Sequence, residues 1–117
     1  MYNKRKLGAE QEEAAVKYLE QAGYRIIERN FYTRAGEIDI IGYDEGYLVF
    51  IEVKFRSNAA FGFPGEAIDN RKRNSIIKTA EYYIYKNQLS MEQPIRFDAV
   101  LILGGSIHLV KNAFQAG

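Results

Sequence analysis

Asp39, Glu52 and Lys54 stand inside two runs, Glu37–Tyr43 and Tyr47–Phe55, that are otherwise built from β-branched, aromatic and other apolar residues. Such runs alternate with the period of a strand, and Asp44-Glu45-Gly46 between them supplies a turn, so they read as a β-hairpin. A charge buried in a hairpin costs several kcal/mol, shifts its pKa, or is matched by a partner or a metal. A core hairpin has no use for two carboxylates and an ammonium together, so a site is the cheaper explanation. Carboxylates without cysteine or a nearby histidine make a hard, oxygen-only donor set, which selects Mg²⁺ or Mn²⁺ over zinc. A cation held this way lowers the pKa of bound water and offsets charge on a phosphate during in-line displacement. Lys54, two residues from Glu52 on the same strand face, is placed to orient the attacking water or neutralise the phosphorane. Phosphodiester hydrolysis is the chemistry these groups fit.

The elements that must bring them together are legible in the flanking sequence. Directly opposed residues of an antiparallel pair point to one side. The apolar set Ile38, Ile40, Val49, Ile51 and Val53 forms one coherent face only in the register that also groups Asp39 with Glu52 and Lys54, so convergence is expected. Upstream, Leu7–Ala22 carries a helical stripe of Ala15, Tyr18, Leu19 and Ala22, with Gly23 as a stop. Glu12 lies on the core side of that helix, either as a rim residue or as a third carboxylate of the cluster. Tyr24–Phe31 reads as a strand. Ser57–Gly65 breaks the periodicity as a loop close to the carboxylates. Glu66–Gln88 reads as a second helix, whose first turns carry Arg71, Lys72 and Arg73. Basic residues there oppose the helix macrodipole, so they read either as a solvated face or as phosphate-facing; nucleic-acid binding is assigned to them and to Arg56 at the end of the hairpin. Tyr82, Tyr83 and Tyr85 read as packing residues rather than base-stacking platforms. Ile95–Leu103 is a further strand and Ile107–Val110 a short last one. Asp98 is expected to pair with Arg96 or a backbone group, and the single His108 to be structural.

With 117 residues, 47% of them apolar, and a net charge of +1, the chain is expected to be one domain. Residues 1–6 read as a loose basic arm. The near-neutral balance means that nucleic acid must be met by local basic clusters. There is no cysteine, which fits a reducing compartment and excludes disulfide or thiolate chemistry. No apolar run follows the basic start and none approaches a membrane span, so a soluble cytoplasmic protein with no membrane partner is expected. The absence of a glycine-rich phosphate loop argues against a nucleoside triphosphatase.

The order Asp39, then Glu52-Val53-Lys54, resembles the PD-(D/E)xK core of restriction-type nucleases and Holliday-junction resolvases. The phrases GEIDII, VFIEVKFR, Arg29-Asn30, the residues from Glu66 to Lys72, RFDAV and the final NAF are similar to the YraN-like bacterial family of predicted endonucleases, over Gly8 to Phe114. The resemblance implies an α/β restriction endonuclease-like fold, an α-β-β-β-α-β core with a mixed sheet between helices. It implies Glu12, Asp39, Glu52 and the main-chain carbonyl of Val53 as metal ligands, and Lys54 as the catalytic lysine. Ile38 stands where the nominal motif has proline, a position that supplies no ligand. By analogy a homodimer is expected.

The expected activity is thus a Mg²⁺-dependent endodeoxyribonuclease with DNA as substrate, branched or junction DNA among the candidates. RNA stays open because such hydrolysis needs no 2′-hydroxyl. A recruiting protein would compensate for the weak overall charge. Two other classes compete. One is a non-catalytic nucleic-acid binding or assembly module that keeps the nuclease fold. The other is an interaction domain whose charges only form salt bridges.

Overall fold

The computed structural model describes residues 4–56 and 68–116, with side chains from Gly8 onward. The loop expected at Ser57–Gly65 and the helix start expected at Glu66 lie outside the described residues, as do residues 1–3. The elements are α1 (Lys4–Gln21), β1 (Arg25–Tyr32), β2 (Glu37–Asp44), β3 (Tyr47–Arg56), α2 (Asn70–Lys86), β4 (Ile95–Leu103) and β5 (Ser106–Phe114). They form one sheet in the order β1-β2-β3-β4-β5. All neighbours are antiparallel except β3 and β4, which run parallel across the α2 connection. This is the mixed α/β architecture expected, compatible with an α-β-β-β-α-β core, with β5 added at the edge.

Helix α1 begins at Lys4, so Lys4, Arg5 and Lys6, read from the sequence as part of a loose arm, belong to the helix. It ends as its apolar stripe does. Tyr24 N–H donates to the Leu19 carbonyl and Gly23 N–H to the Glu20 carbonyl, the paired bonds that close a helix over a glycine. Asp69 caps α2 by accepting the Lys72 N–H at 2.8 Å. Strand β5 runs to Phe114, well past the expected Val110. A register shift between Phe97 and Ala99 lets β4 hold the extra residues, with Asn112 in the left-handed region at φ 55°.

Each sheet face has its own core. Ala15, Val16 and Leu19 of α1 pack with Tyr24, Ile40, Val49, Ile51, Val100 and Ile102. Ile76, Ala80 and Tyr83 of α2 pack on the opposite face with Phe31, Ile38, Ile41, Phe50 and Phe97. Burying one such Ile, Leu or Phe contributes about 1.5–3 kcal/mol, so both helices are held mainly by their apolar stripes. Tyr83 meets Phe31 and Phe50 edge-on.

The single apolar face expected for the hairpin is corrected here. Ile40, Val49 and Ile51 share the α1 face, but Ile38 belongs to the α2 core. The reason lies next door. In the β1–β2 register, Arg29 opposes Ile40 and Phe31 opposes Ile38. Asn30 between them adopts φ 55°, a conformation that Asn tolerates better than most residues. Arg29 accordingly reaches α1 while Phe31 packs under α2. Both strands change sides at the level of Asp39.

The turn between β1 and β2 is fastened to α2. Ser75 Oγ donates to the Ala35 carbonyl at 2.6 Å, and the Thr79 hydroxyl lies 3.3 Å from that of Thr33. Gly36, at φ 156°, passes so close that an added Cβ would come 1.9 Å from Ser75 Oγ. Only glycine fits there.

Candidate active site

β2 and β3 pair with Ile40 opposite Ile51 and Ile41 opposite Phe50, the register expected from the sequence. One step further along, Asp39 and Glu52 come together. Asp39 Oδ2 accepts the Val53 N–H at 2.8 Å. The Asp39 and Glu52 carboxyls are close enough for each to perturb the other's ionisation. Glu52 faces the α2 side opposite Ala99, with Lys54 two residues on opposite Leu101. It is 5% exposed, and its Oε2 has no hydrogen-bond partner among the described residues.

The electrostatics follow from this crowding. Burial, then the neighbouring Glu52 charge, push the Asp39 carboxyl up to about 8, with the Val53 N–H pulling the other way. Burial also raises Glu52, opposed by the cations of Lys72 and Lys54. Two desolvated carboxylates at this distance cannot both stay ionised without a proton or a cation between them.

Glu37 was not singled out as a functional residue by sequence reasoning. Its carboxylate lies near Asp39 and helps to raise the Asp39 carboxyl. Its signal was present in the strand period, since residues two apart on a strand lie on one side. On β1, Tyr32 directly opposes Glu37, and the neighbouring Glu37 carboxylate raises the Tyr32 hydroxyl above its ordinary pKa.

The other expected site residues are placed as follows. Glu12 accepts hydrogen bonds at Oε1 from Arg29 Nε and Asn30 Nδ2, both at 3.0 Å, while Glu13 takes Arg29 Nη1 at 2.9 Å. No hydrogen bond links Glu12 to Asp39 or Glu52 among the described residues. Lys72 turns to the carboxylate site, its Nζ 3.8 Å from Glu52 Oε1. Arg73 Nε donates to the Ile68 carbonyl and its guanidinium lies over the Phe114 ring, so it clamps the start of α2. Arg71 is exposed. Arg56 donates to its neighbour's carbonyl, at Phe55. These four basic residues, assigned to nucleic-acid binding, have separate surroundings.

A second charged assembly lies on the α1 face. Asp98, fully buried, accepts from Tyr24 Oη at 2.6 Å, from Arg96 Nε and Nη2 at 2.9 Å each, and from the Asn112 N–H at 2.9 Å. Arg96 Nη2 also donates to Asp44 Oδ2 at 2.7 Å, where Lys111 joins at 3.1 Å. Asp98 thus takes both kinds of partner expected for it. The carboxylates here are matched by cations and donors. In the Asp39–Glu52 pair, Glu52 Oε2 is left without one among the described residues.

That contrast tests whether a divalent cation suits the site. A buried carboxylate oxygen without a partner, beside a second carboxylate of raised pKa, is a donor set with capacity to spare. Mg²⁺ takes one or two carboxylates and keeps waters for its remaining positions. Among the described residues no three carboxylate or imidazole side chains form a ready-made cage. The fit is to a two-carboxylate site, and the oxygen chemistry is right for it.

Fold and site together define an α/β protein with an acidic centre where a sheet hairpin opens. The chain belongs to the uncharacterised protein family UPF0102, whose model matches residues 11–102. It is 48% identical over 114 residues to the UPF0102 protein of Lachnoclostridium phytofermentans, covering 97% of both chains. Identity to the UPF0102 protein of Persephonella marina is 47% over 108 residues, 92% of each. A Clostridium botulinum relative (strain Hall) is 43% identical over 120 residues, 97% of this chain and 98% of its own. This is the family expected from the sequence. No helix among the described residues is long and apolar enough to cross a membrane.

Proposed function

We infer that this protein is a divalent-metal-dependent endonuclease that hydrolyses phosphodiester bonds in DNA. The observation that carries this reading is Glu52 Oε2, buried and without a hydrogen-bond partner beside Asp39. A hairpin charged only for salt bridges would leave no such atom, because an unmatched buried carboxylate costs more than its pairing gains. Asp39 and Glu52 are the residues that would hold Mg²⁺ or Mn²⁺, with Glu12 and the Val53 carbonyl as the further oxygen donors of this assignment. When bound, the cation supplies an acidified water and a counter-charge for the phosphate.

The chain's own groups do the rest. The Val53 N–H fixes the Asp39 carboxylate against rotation. Lys54, on the face of Glu52, hydrogen-bonds the attacking water or a non-bridging phosphate oxygen and offsets charge as it develops. Lys72 holds the Glu52 carboxylate from α2 and moderates its raised pKa. The alternative, a binding module that keeps the fold, needs neither an unmatched Glu52 nor Lys54 next to it.

The test is cleavage of labelled four-way junction, flap, single-stranded, duplex and RNA substrates with Mg²⁺ or Mn²⁺. Wild type is compared with Glu52→Ala and Lys54→Ala. Cleavage by wild type alone is the expected result. Equal cleavage by all three proteins, or none by wild type with no Mn²⁺ binding, overturns the reading.

A further inference from the structure

Beside the carboxylates lies a cleft of about 470 Å³ lined by Tyr32, Thr33, Arg34, Ala35, Lys78 and Tyr82. Tyr32 is 67% exposed and Tyr82 48% exposed, so two large aromatic groups meet solvent there. Of the α2 tyrosines expected to pack, Tyr83 is buried, while Tyr82 and Tyr85 are exposed. Tyr82, one residue earlier on the helix, turns aside and stacks on Phe31, with ring centroids 6.3 Å apart and planes 24° apart. Phe31 is itself wedged against Tyr83, so the Tyr82 ring is supported from behind and its outer face is open.

The charges in the cleft are unmatched. Neither Arg34 nor Lys78 has an ion-pair partner among the described residues. Two cations beside two exposed aromatic rings suit an anion that also carries a flat ring. The floor is rigid, because Thr33, Gly36, Ser75 and Thr79 tie the β1–β2 turn to α2. A preformed aromatic wall loses little entropy when a ring settles on it.

Position completes the argument. Tyr32 directly opposes Glu37 across the β1–β2 pair. Glu37 is two residues before Asp39, about 7 Å along the strand. The aromatic cleft therefore begins where the acidic cluster ends. A polymer whose phosphate lies at Asp39 and Glu52 would bring a neighbouring nucleotide over the tyrosines.

We propose that this cleft binds an unpaired nucleotide of the substrate strand, its base stacking on Tyr82 and Tyr32 and its phosphates meeting Arg34 and Lys78. The inference rests on the nuclease reading for the identity of the polymer, and it adds the strand state. A paired base has both faces covered by its neighbours and has none to offer an aromatic side chain. The site selects single-stranded or splayed DNA next to the bond that is cut.

Binding without cleavage tests this apart from the nuclease reading. Anisotropy of a fluorescein-labelled oligothymidylate, alone and annealed to oligoadenylate, is measured in EDTA with the full chain. Wild type binds the single strand more tightly than the duplex. Tyr32→Ala and Tyr82→Ala each weaken single-strand binding about fivefold or more, while Tyr82→Phe retains it. Arg34→Ala and Lys78→Ala each reduce the slope of log affinity on log salt by about 0.7. Tyr32 is exposed enough for its truncation to leave the fold intact, and circular dichroism checks each variant. Unchanged affinity in both tyrosine variants, or wild-type binding no tighter to the single strand than to the duplex, overturns the proposal even if the protein cleaves DNA. Tyrosine-dependent binding by a protein that neither cleaves DNA nor binds Mn²⁺ sustains the cleft and removes the nuclease.

Discussion

Asp39 takes a backbone donor from β3: its Oδ2 accepts the Val53 N–H at 2.8 Å, so the carboxylate replaces part of the ladder just past the last paired residues, Ile40 and Ile51. One peptide thereby positions both sides of the acidic pair, because Val53 directly follows Glu52. The carboxylate is fixed by a covalent neighbour of its partner. Little reorganisation is left for the moment when charge develops.

The raised carboxyl makes a stability prediction with a definite sign. Burial, then Glu52, place the folded Asp39 at about 8 against 3.8 for an ordinary aspartate. Between those values the folded state binds more protons than the unfolded state, so stability falls as pH rises from about 4 to about 8. Asp39→Asn removes the titration and keeps an acceptor for Val53. Metal-free Asp39→Asn should melt above metal-free wild type at about pH 8, the gap narrowing toward about pH 4, as thermal scans across pH will show.

Divalent cation should reverse that penalty in wild type only. At a concentration 100 times its dissociation constant, a ligand of the folded state adds about 2.7 kcal/mol, or about 10 °C in Tm for a chain of this size. Mn²⁺ should produce such a rise in wild type and not in Glu52→Ala. Calorimetric titration gives the dissociation constant independently.

On the other face, Asp98→Ala should destabilise the fold by about 3–5 kcal/mol, because it leaves Arg96 largely buried with Asp44 as its remaining carboxylate partner. Chemical denaturation measures this directly. Mn²⁺ affinity should be unchanged, since Asp98 belongs to a separate set of partners.

Acid unfolding should run through Asp44. Burial raises its carboxyl, but Arg96 and Lys111 outweigh that and hold it below the ordinary value. Its contribution is full above the unfolded value of about 4 and is lost as pH falls through the lowered folded value. Asp44→Asn should be less stable than wild type near neutrality and lose less on acidification. Urea titrations at several pH values give the comparison.

Gly36→Ala places a methyl group against Ser75 Oγ in a backbone region unfavourable to side chains. The expected cost is about 3 kcal/mol or more. Gly36→Ala with Ser75→Ala should recover part of it, because the nearest atom is then gone while the backbone strain stays. A double-mutant cycle in denaturant separates the two.

Much of this was readable from residue order. Strand period and turn chemistry gave the hairpin, and its register followed from two apolar sets that match in one alignment. Strand β4 has the bounds expected, Ile95 to Leu103, since an apolar run between Pro94 and Gly104-Gly105 leaves little choice. Asp39 and Glu52 were legible as a pair because charges amid β-branched residues demand an explanation. What escaped was tertiary. The side change at Asp39 comes from Asn30 on another strand, and no periodicity within β2 encodes it. Lys72 and Arg73 read as a basic helix start, but one turns to Glu52 and the other to Ile68 and Phe114, contacts set by how α2 lies on the sheet. Glu12 was placed on the inner side of α1 by its spacing. Its attachment to Arg29 and Asn30 depends on the same side change that spacing could not foresee.

That side change has a mechanical consequence. Ile38 is anchored under α2 and Ile40 under α1, so Asp39 is the pivot of a strand gripped by two different helices. Each core thus touches β2 one residue away from that carboxylate, and repacking on either side of the sheet has a short covalent route to the acidic pair.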